Sequence, residues 1–250
     1  MPNPTAAMLT IGDEILSGRT RDANMPHLAE ALAARGISLR EARVVPDVAG
    51  EIVAALNALR ARYDHVFTSG GIGPTHDDIT ADAVAAAFGV PIGVRDDARA
   101  VLASNYANPE VELNEARLRM ARVPDGATLI DNPVSRAPGF SIGNVHVMAG
   151  VPAVFQAMVA GLLPTLTGGR PLLSETVRID RPEGEIAGPL RLVAEAHPAV
   201  SIGSYPFNRA GRFGAHIVAR SEDPGALAAA AVALRALAQA LDPAAGGPSP

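Results

Sequence analysis

The stretch Thr68-Ser69-Gly70-Gly71-Ile72-Gly73-Pro74-Thr75-His76-Asp77-Asp78-Ile79-Thr80 concentrates residue types that can do chemistry. Gly70, Gly71 and Gly73 let a backbone turn sharply and approach a ligand closely. An apolar pair, Val66-Phe67, leads in, and a helical pattern, Ala81 to Phe88, leads out. Strand, glycine turn and helix start together offer backbone N–H groups to a phosphate. Asp77 and Asp78 stand where that helix should begin. Acidic side chains suit a helix N-terminus electrostatically, but they repel a phosphate. Two unit charges about 4 Å apart repel by about 4 kcal/mol at an effective dielectric near 20. A phosphate here needs a cation between it and the aspartates, or a protonated carboxylate. The segment therefore reads either as a site for a phosphorylated ligand with a metal ion, or as a plain glycine turn capped by Asp.

The elements around this loop must bring other loops to it. Ala6–Ile11 and Ile37–Val45 read as strands, Asp64–Thr68 as a third, and Met25–Arg35, Val48–Arg62 and Ile79–Phe88 as helices with apolar residues at helical spacing. Gly36 is placed as a helix C-cap. Strands alternating with helices predict a parallel sheet covered on both faces. Ligands of such sheets collect at the carboxyl ends of the strands. Asp13 follows the first strand, Asp47 the second, and Asp77 and Asp78 the third, so all four are predicted on one rim. Asp47, one residue ahead of a helix, also fits a plain capping role.

Further along, Arg95–Asn105 and Val111–Ala121 read as helices, Ala127–Ile130, Gly139–Ile142 and Val145–Ala149 as strands, and Pro152–Leu166 as a helix. Thr167-Gly168-Gly169-Arg170-Pro171 is the linker candidate. Beyond it the order β-α-β-β-α (Leu172–Ile179, Glu183–His197, Val200–Tyr205, Gly214–Ala219, Pro224–Leu241) predicts a small two-layer α+β domain. The expected division is 1–169, 170–241, and a disordered tail at 242–250, rich in Ala, Gly and Pro.

Composition narrows the classes. Of 250 residues 48 % are hydrophobic, and the net charge is −5 from 21 basic and 26 acidic residues. No basic run or face is evident, which argues against a nucleic-acid partner. All basic residues are Arg. The absence of Lys removes a Walker-type phosphate lysine and Schiff-base chemistry. The absence of Cys removes disulfides, thiol nucleophiles and cysteine metal sites. No stretch is expected to approach the roughly 18 apolar residues that span a membrane, and Met1-Pro2-Asn3-Pro4 does not open a signal peptide. A cytoplasmic protein is the expectation. Gly139-Phe140-Ser141-Ile142-Gly143 matches the G-x-S-x-G elbow of hydrolases, but Pro138 precedes it and a hairpin turn follows, where an elbow needs a helix. His76 occupies the third glycine position of a dinucleotide fingerprint. It is also the one histidine placed to touch a phosphate.

Ile11-Gly12-Asp13-Glu14-Ile15-Leu16-Ser17-Gly18, Asn24, and Ser69 to Thr80 resemble the molybdopterin-binding domain, in the form found in CinA-like (competence/damage-inducible) proteins. Asn132 to Phe140 and Gly150-Val151-Pro152 are similar to two later motifs of the group. Residues 172–241 resemble the small domain that follows in CinA-like proteins and in eukaryotic FAD synthases. Because the chain ends soon after it, a short form without the nicotinamide-nucleotide deamidase domain is expected. Departures are Met148-Ala149 for Leu-Pro, Ser135-Arg136 for Gly-Thr, and His76 for Lys.

The resemblance implies a three-layer α/β/α fold and a homo-oligomer, dimer or trimer. It places a phosphorylated pterin or nucleotide at Gly12, Asp13, Asn24, Ser69, Gly70, Gly71, Gly73, Pro74, Thr75, His76, Thr80, Pro138 and Gly139. Asp47 and Asp78 correspond to catalytic aspartates of molybdenum-cofactor adenylyltransferases. CinA proteins are associated with metal-dependent ADP-ribose pyrophosphatase activity. The expected activity is therefore cleavage of ADP-ribose or a related dinucleotide with Mg²⁺, Mn²⁺ or Co²⁺ held by Asp47, Asp77 and Asp78, with K⁺ as an auxiliary ion. The alternative is molybdopterin binding without chemistry.

Overall fold

The first strand, β1 (Thr5–Ile11), is buried almost throughout, as a parallel strand covered on both faces must be. Its side chains alternate between two cores: Ala7, Leu9 and Ile11 enter one, Ala6 and Met8 the other. The computed structural model describes residues 3–209 and 212–241, and its contacts divide the chain between Gly169 and Arg170. In the first unit β1 leads through a one-turn helix, α1 (Asp13–Leu16), to α2 (Asn24–Ala34) and β2 (Ser38–Val45). Then come α3 (Ala49–Arg60), β3 (His65–Ser69), α4 (Thr80–Phe88), β4 (Ile92–Val94) and α5 (Asp96–Ala103).

Two single turns, α6 (Pro109–Glu112) and α7 (Glu115–Leu118), and a 3-10 turn, Arg119–Ala121, precede β5 (Arg122–Pro124). The unit closes with β6 (Thr128–Ile130), β7 (Gly139–Ile142), β8 (Val145–Met148) and α8 (Pro152–Leu162).

The main sheet has the order β2-β1-β3-β8-β7-β6. The first four strands run parallel, and β7 and β6 return antiparallel. The chain steps from β1 out to β2 and then back across β1 to β3, so strand order reverses at β1. The loops after β1 and β3 part there, and a crevice opens at their carboxyl ends. Residues of α3, α4 and α5 fill one core, those of α2 and α8 the other, which makes three layers.

Two segments differ from expectation. The single helix expected over Val111–Ala121 is broken, because the Asn114 side chain accepts from the Arg117 backbone N–H and restarts the chain as a new turn. The Gly12–Ala23 loop contains α1. The pair β4–β5 has three-residue strands, too short to carry a period. The expected tail at 242–250 lies outside the described residues.

The second unit contains β9 (Leu173–Ile179), α9 (Glu183–Ala196), β10 (Ser201–Arg209), β11 (Arg212–Ser221) and α10 (Pro224–Leu241). Its antiparallel sheet has the order β10-β11-β9. Val177, Ile179, Ile217 and Ala219 pack with Ile186, Leu227 and Leu234 of the helices. Contrary to the expectation of no such stretch, α10 is long and apolar enough by composition to cross a bilayer, with a mean hydropathy of 1.4 over 18 residues. Ala and Leu dominate it because one face, with Leu227, Ala230, Ala231 and Leu234, is buried against the small sheet.

Candidate functional site

Gly70 and Gly71 both take positive φ, 107° and 69°, a region closed to most side chains. A Cβ on Gly70 would strike the Ile11 carbonyl oxygen, and one on Gly71 would strike the Thr80 hydroxyl. Thr80 is fully buried. Its hydroxyl donates to the Gly70 carbonyl (3.0 Å) and its N–H to the Gly71 carbonyl (2.9 Å). The start of α4 is thus stapled to the glycine turn. Gly73 is required for another reason: its α-carbon lies against the Asp78 carboxylate.

Asp78 Oδ2 accepts from the Thr75 N–H (2.8 Å) and hydroxyl (2.6 Å). These bonds shape the loop and leave Oδ1 without a bond in that turn. Asp47 Oδ2 accepts from the Asp13 N–H at 3.0 Å, so the loops after β1 and β2 are joined. Partial burial pushes the Asp47 carboxyl above its ordinary range, with the charges of Asp13, Glu14 and Asp77 adding to the effect. These four carboxylates share one electrostatic neighbourhood. Among the described residues, no three His, Asp or Glu side chains converge as a ready metal-ligand set.

Two buried asparagines hold the surrounding loops. Asn24 Nδ2 donates to Ser69 Oγ and to the Gly150 carbonyl, each at 2.8 Å, tying the loops after β1, β3 and β8 together. Asn132 accepts from the Val134 and Ser135 N–H groups and donates to Ser135 Oγ and the Ala137 carbonyl. That turn is tight enough to carry Arg136 at φ 57°.

Between these loops lies an open cleft of about 510 Å³, lined by Glu14 and Thr20 after β1, by Gly70, Gly71, Gly73, Pro74 and Asp78 after β3, by Gly150–Pro152 after β8, and by Asn132 and Ser135. The volume suits a nucleotide-sized ligand. Of the residues singled out in the sequence, Gly70, Gly71, Gly73, Pro74 and Asp78 line the cleft. Asn24 and Ser69 line an adjoining recess, Thr80 is buried under the turn, and the exposed Thr75 bonds Asp78. Asp13, Asp47 and Asp77 lie beside it on the same rim. Gly12 packs against the Glu14 carboxylate. The His76 side chain is fully exposed, 3.9 Å from Asp77. Pro138 lines a recess beside the glycine loop, and Gly139 sits in β7, where a Cβ would strike the Val147 carbonyl.

Glu14, Thr20, Met120 and Ser135 also line the cleft, and the sequence did not single them out as site residues. Arg119 and Arg122 stand next to the glycine loop with Asp78 and Asp82. They come from a segment some 40 residues away, and no periodicity or motif pointed to them. Arg119 Nη2 donates to the Asp78 carbonyl at 3.2 Å, and Arg122 pairs with Asp82 in the first turn of α4.

A mostly parallel three-layer sheet with a glycine-turn cleft at its switch point defines the class, and comparison with known proteins agrees. Residues 7–168 match the family model described as "Probable molybdopterin binding domain", and residues 171–242 match "FAD synthase, middle domain". The chain belongs to the molybdopterin-binding-domain family, as a CinA-like member. A protein of Pyrobaculum calidifontis is 37 % identical over 212 residues, covering 81 % of each chain. A CinA-like protein of Citrifermentans bemidjiense is 40 % identical over 167 residues, 65 % of this chain and 40 % of that longer one. The crystal structure of the protein CinA of unknown function from Thermoplasma acidophilum superposes with a TM-score of 0.61 at 32 % identity, covering 66 % of this chain and 99 % of that one. The family relationship supports a nucleotide-related or cofactor-binding role.

Proposed function

We propose that the cleft binds a phosphorylated heterocycle and that the protein hydrolyses the pyrophosphate of ADP-ribose or a related dinucleotide. The observation that carries this reading is the pairing of a glycine turn that lines the cleft with carboxylates on one rim. A site that only holds a phosphate has little need of clustered carboxylates. The two matching family models are both named after phosphate-bearing cofactors, molybdopterin and FAD.

The carboxylates are hard oxygen donors that suit Mg²⁺ or Mn²⁺, ions that are commonly held by one or two carboxylates together with substrate phosphates. Asp47 and Asp77 would hold such an ion jointly with the ligand. The raised Asp47 carboxyl fits this demand, because a cation would offset the burial that mainly raises it and the neighbouring negative charges that add to it. The ion would neutralise phosphate charge and activate water. Asp78 faces the cleft and, with Thr75, positions the attacked phosphate. Water adds to the adenosine-side phosphorus, the bridging P–O bond breaks, and AMP and a ribose phosphate leave.

The test is incubation with ADP-ribose, FAD and NAD plus Mg²⁺, Mn²⁺ or Co²⁺, following release of AMP, with and without EDTA. Release that stops in EDTA and returns with excess metal is expected. The binding-only reading is favoured by one feature, the engagement of Asp78 Oδ2 in its own loop. Tight calorimetric binding of molybdopterin without AMP release from any dinucleotide would select it.

A further inference from the structure

The rim of the cleft carries Glu14, Asp47, Asp77 and Asp78, and an anionic ligand needs positive charge closer than the arginines adjacent in sequence. Arg119 meets that need. It lines a recess that shares Gly71, Gly73 and Asp78 with the cleft. Its Nη2 donates to the Asp78 carbonyl. Its Nε is buried and has no hydrogen-bond partner. Among the described residues no carboxylate stands within ion-pair distance of it. The neighbouring Arg122 also has a buried Nε without a partner, but Asp82 neutralises its charge. A half-buried guanidinium with an unused donor and no counter-ion, next to the glycine turn, lacks an anion.

Resting on the reading of the cleft as a phosphorylated-ligand site, we propose that Arg119 is its anion-binding residue, taking a phosphoryl oxygen of a phosphate monoester or pyrophosphate against Gly71–Gly73. The planar guanidinium can hold the Asp78 carbonyl with one nitrogen and reach the ligand with the others. A binding role and a loop-stapling role make different demands. Stapling needs only a donor for the Asp78 carbonyl, and a neutral amide can supply one. Binding needs the charge.

The test is calorimetry of the full chain with inorganic pyrophosphate and with AMP, each with and without Mg²⁺, comparing wild type with Arg119→Gln and Arg119→Lys. Arg119→Gln should weaken both ligands at least 30-fold with a melting temperature within a few degrees of wild type. Arg119→Lys, which keeps the charge and is the variant to rely on if the Gln form does not fold, should recover part of the loss. Affinities of Arg119→Gln within threefold of wild type would overturn the role. So would equal weakening by Gln and Lys, because the charge that Lys keeps would then contribute nothing to binding. If the wild type binds neither ligand under any condition, the phosphate reading of the cleft itself fails, and the role of Arg119 with it.

Discussion

The two units of this chain handle polarity in opposite ways. In the small unit β9, β10 and β11 meet α9 and α10 over an apolar interior, and Ser221 is its one buried polar residue among those described. In the large unit Thr10, Asn24, Thr68, Ser69, Thr80, Asn132 and His146 are all buried. Every described residue with positive φ, the glycines and Arg136 alike, also lies in the large unit. Unusual backbone and buried polar groups cost stability and persist where the surroundings or a function demand them. Several of them, Thr10, Gly12, Ser69, Gly70 and Gly71, cluster at the carboxyl ends of β1 and β3, where the cleft lies, whereas Gly36, Gly89, Gly126 and Gly143 serve turns elsewhere. The small unit packs more plainly, yet a groove of about 590 Å³ opens there too, lined by Glu183, Ile186, Leu190, Arg191, Ile202 and Ser204.

The comparison is broken most directly at Asp78. Asp78→Asn keeps size and an acceptor for Thr75 but removes the charge. Turnover of a cleaved dinucleotide should fall by about 100-fold or more, since one transition-state contact of this kind is worth that much. The melting temperature should hardly move. Unchanged turnover would remove Asp78 from the mechanism.

Glycines offer a paired test. Gly71→Ala meets the Thr80 hydroxyl at positive φ, so unfolding free energy should drop by at least 1–2 kcal/mol, the usual cost of a left-handed side chain, with ligand affinity falling as well. Gly184, in the first turn of α9, has nothing within 4 Å of an added Cβ and is not followed by proline. Gly184→Ala should therefore stabilise by about 0.5 kcal/mol through helix propensity. Equal effects at the two positions would erase the contrast between the units.

His146 provides a pH-dependent version. It lies among Phe67, His65 (Nδ1 to Nε2, 3.2 Å) and Ser141 (Oγ to Nδ1, 2.8 Å). Burial, with the neighbouring His65 adding, holds its imidazole down to about 4. The folded state thus binds a proton less readily than the unfolded chain, whose His titrates near 6.5. The stabilisation is complete above that ordinary value and drains away as pH falls from there toward 4, by on the order of 3 kcal/mol. Chemical denaturation across pH 4–7 should show this slope, and His146→Gln should flatten it. Hydrogen exchange should place the loss in β3, β7 and β8. A slope that survives the substitution would assign it to other groups.

Much of the fold was legible because strands such as β1 and β8 are short apolar runs, and the helices between strands have a clear period. Ala6–Ile11 and Val145–Met148 could not be amphipathic surface strands, since both of their faces are buried. Irregular pieces escaped. The segment 109–121 has helical composition throughout, but Asn114 caps a new turn within it, and such a local hydrogen bond competes with a continuous helix without altering the hydrophobic pattern. The three-residue strands β4 and β5 escaped because they are too short to carry a period.

The sequence by itself determined the glycine turn and the placement of carboxylates at the ends of β1, β2 and β3. These depend on residue type and local spacing, and backbone sterics act over a few residues. Only the tertiary structure decided which groups face the cleft. It set Asp78 in the cleft and Asp47 beside it. It set Asn24 and Ser69 in an adjoining recess. It also brought Arg119 from beyond α7 to the far side of the loop. Coulomb and hydrogen-bond energies depend on distance in space, and the sheet order β2-β1-β3-β8, which sets that distance, is a property of how whole elements pack.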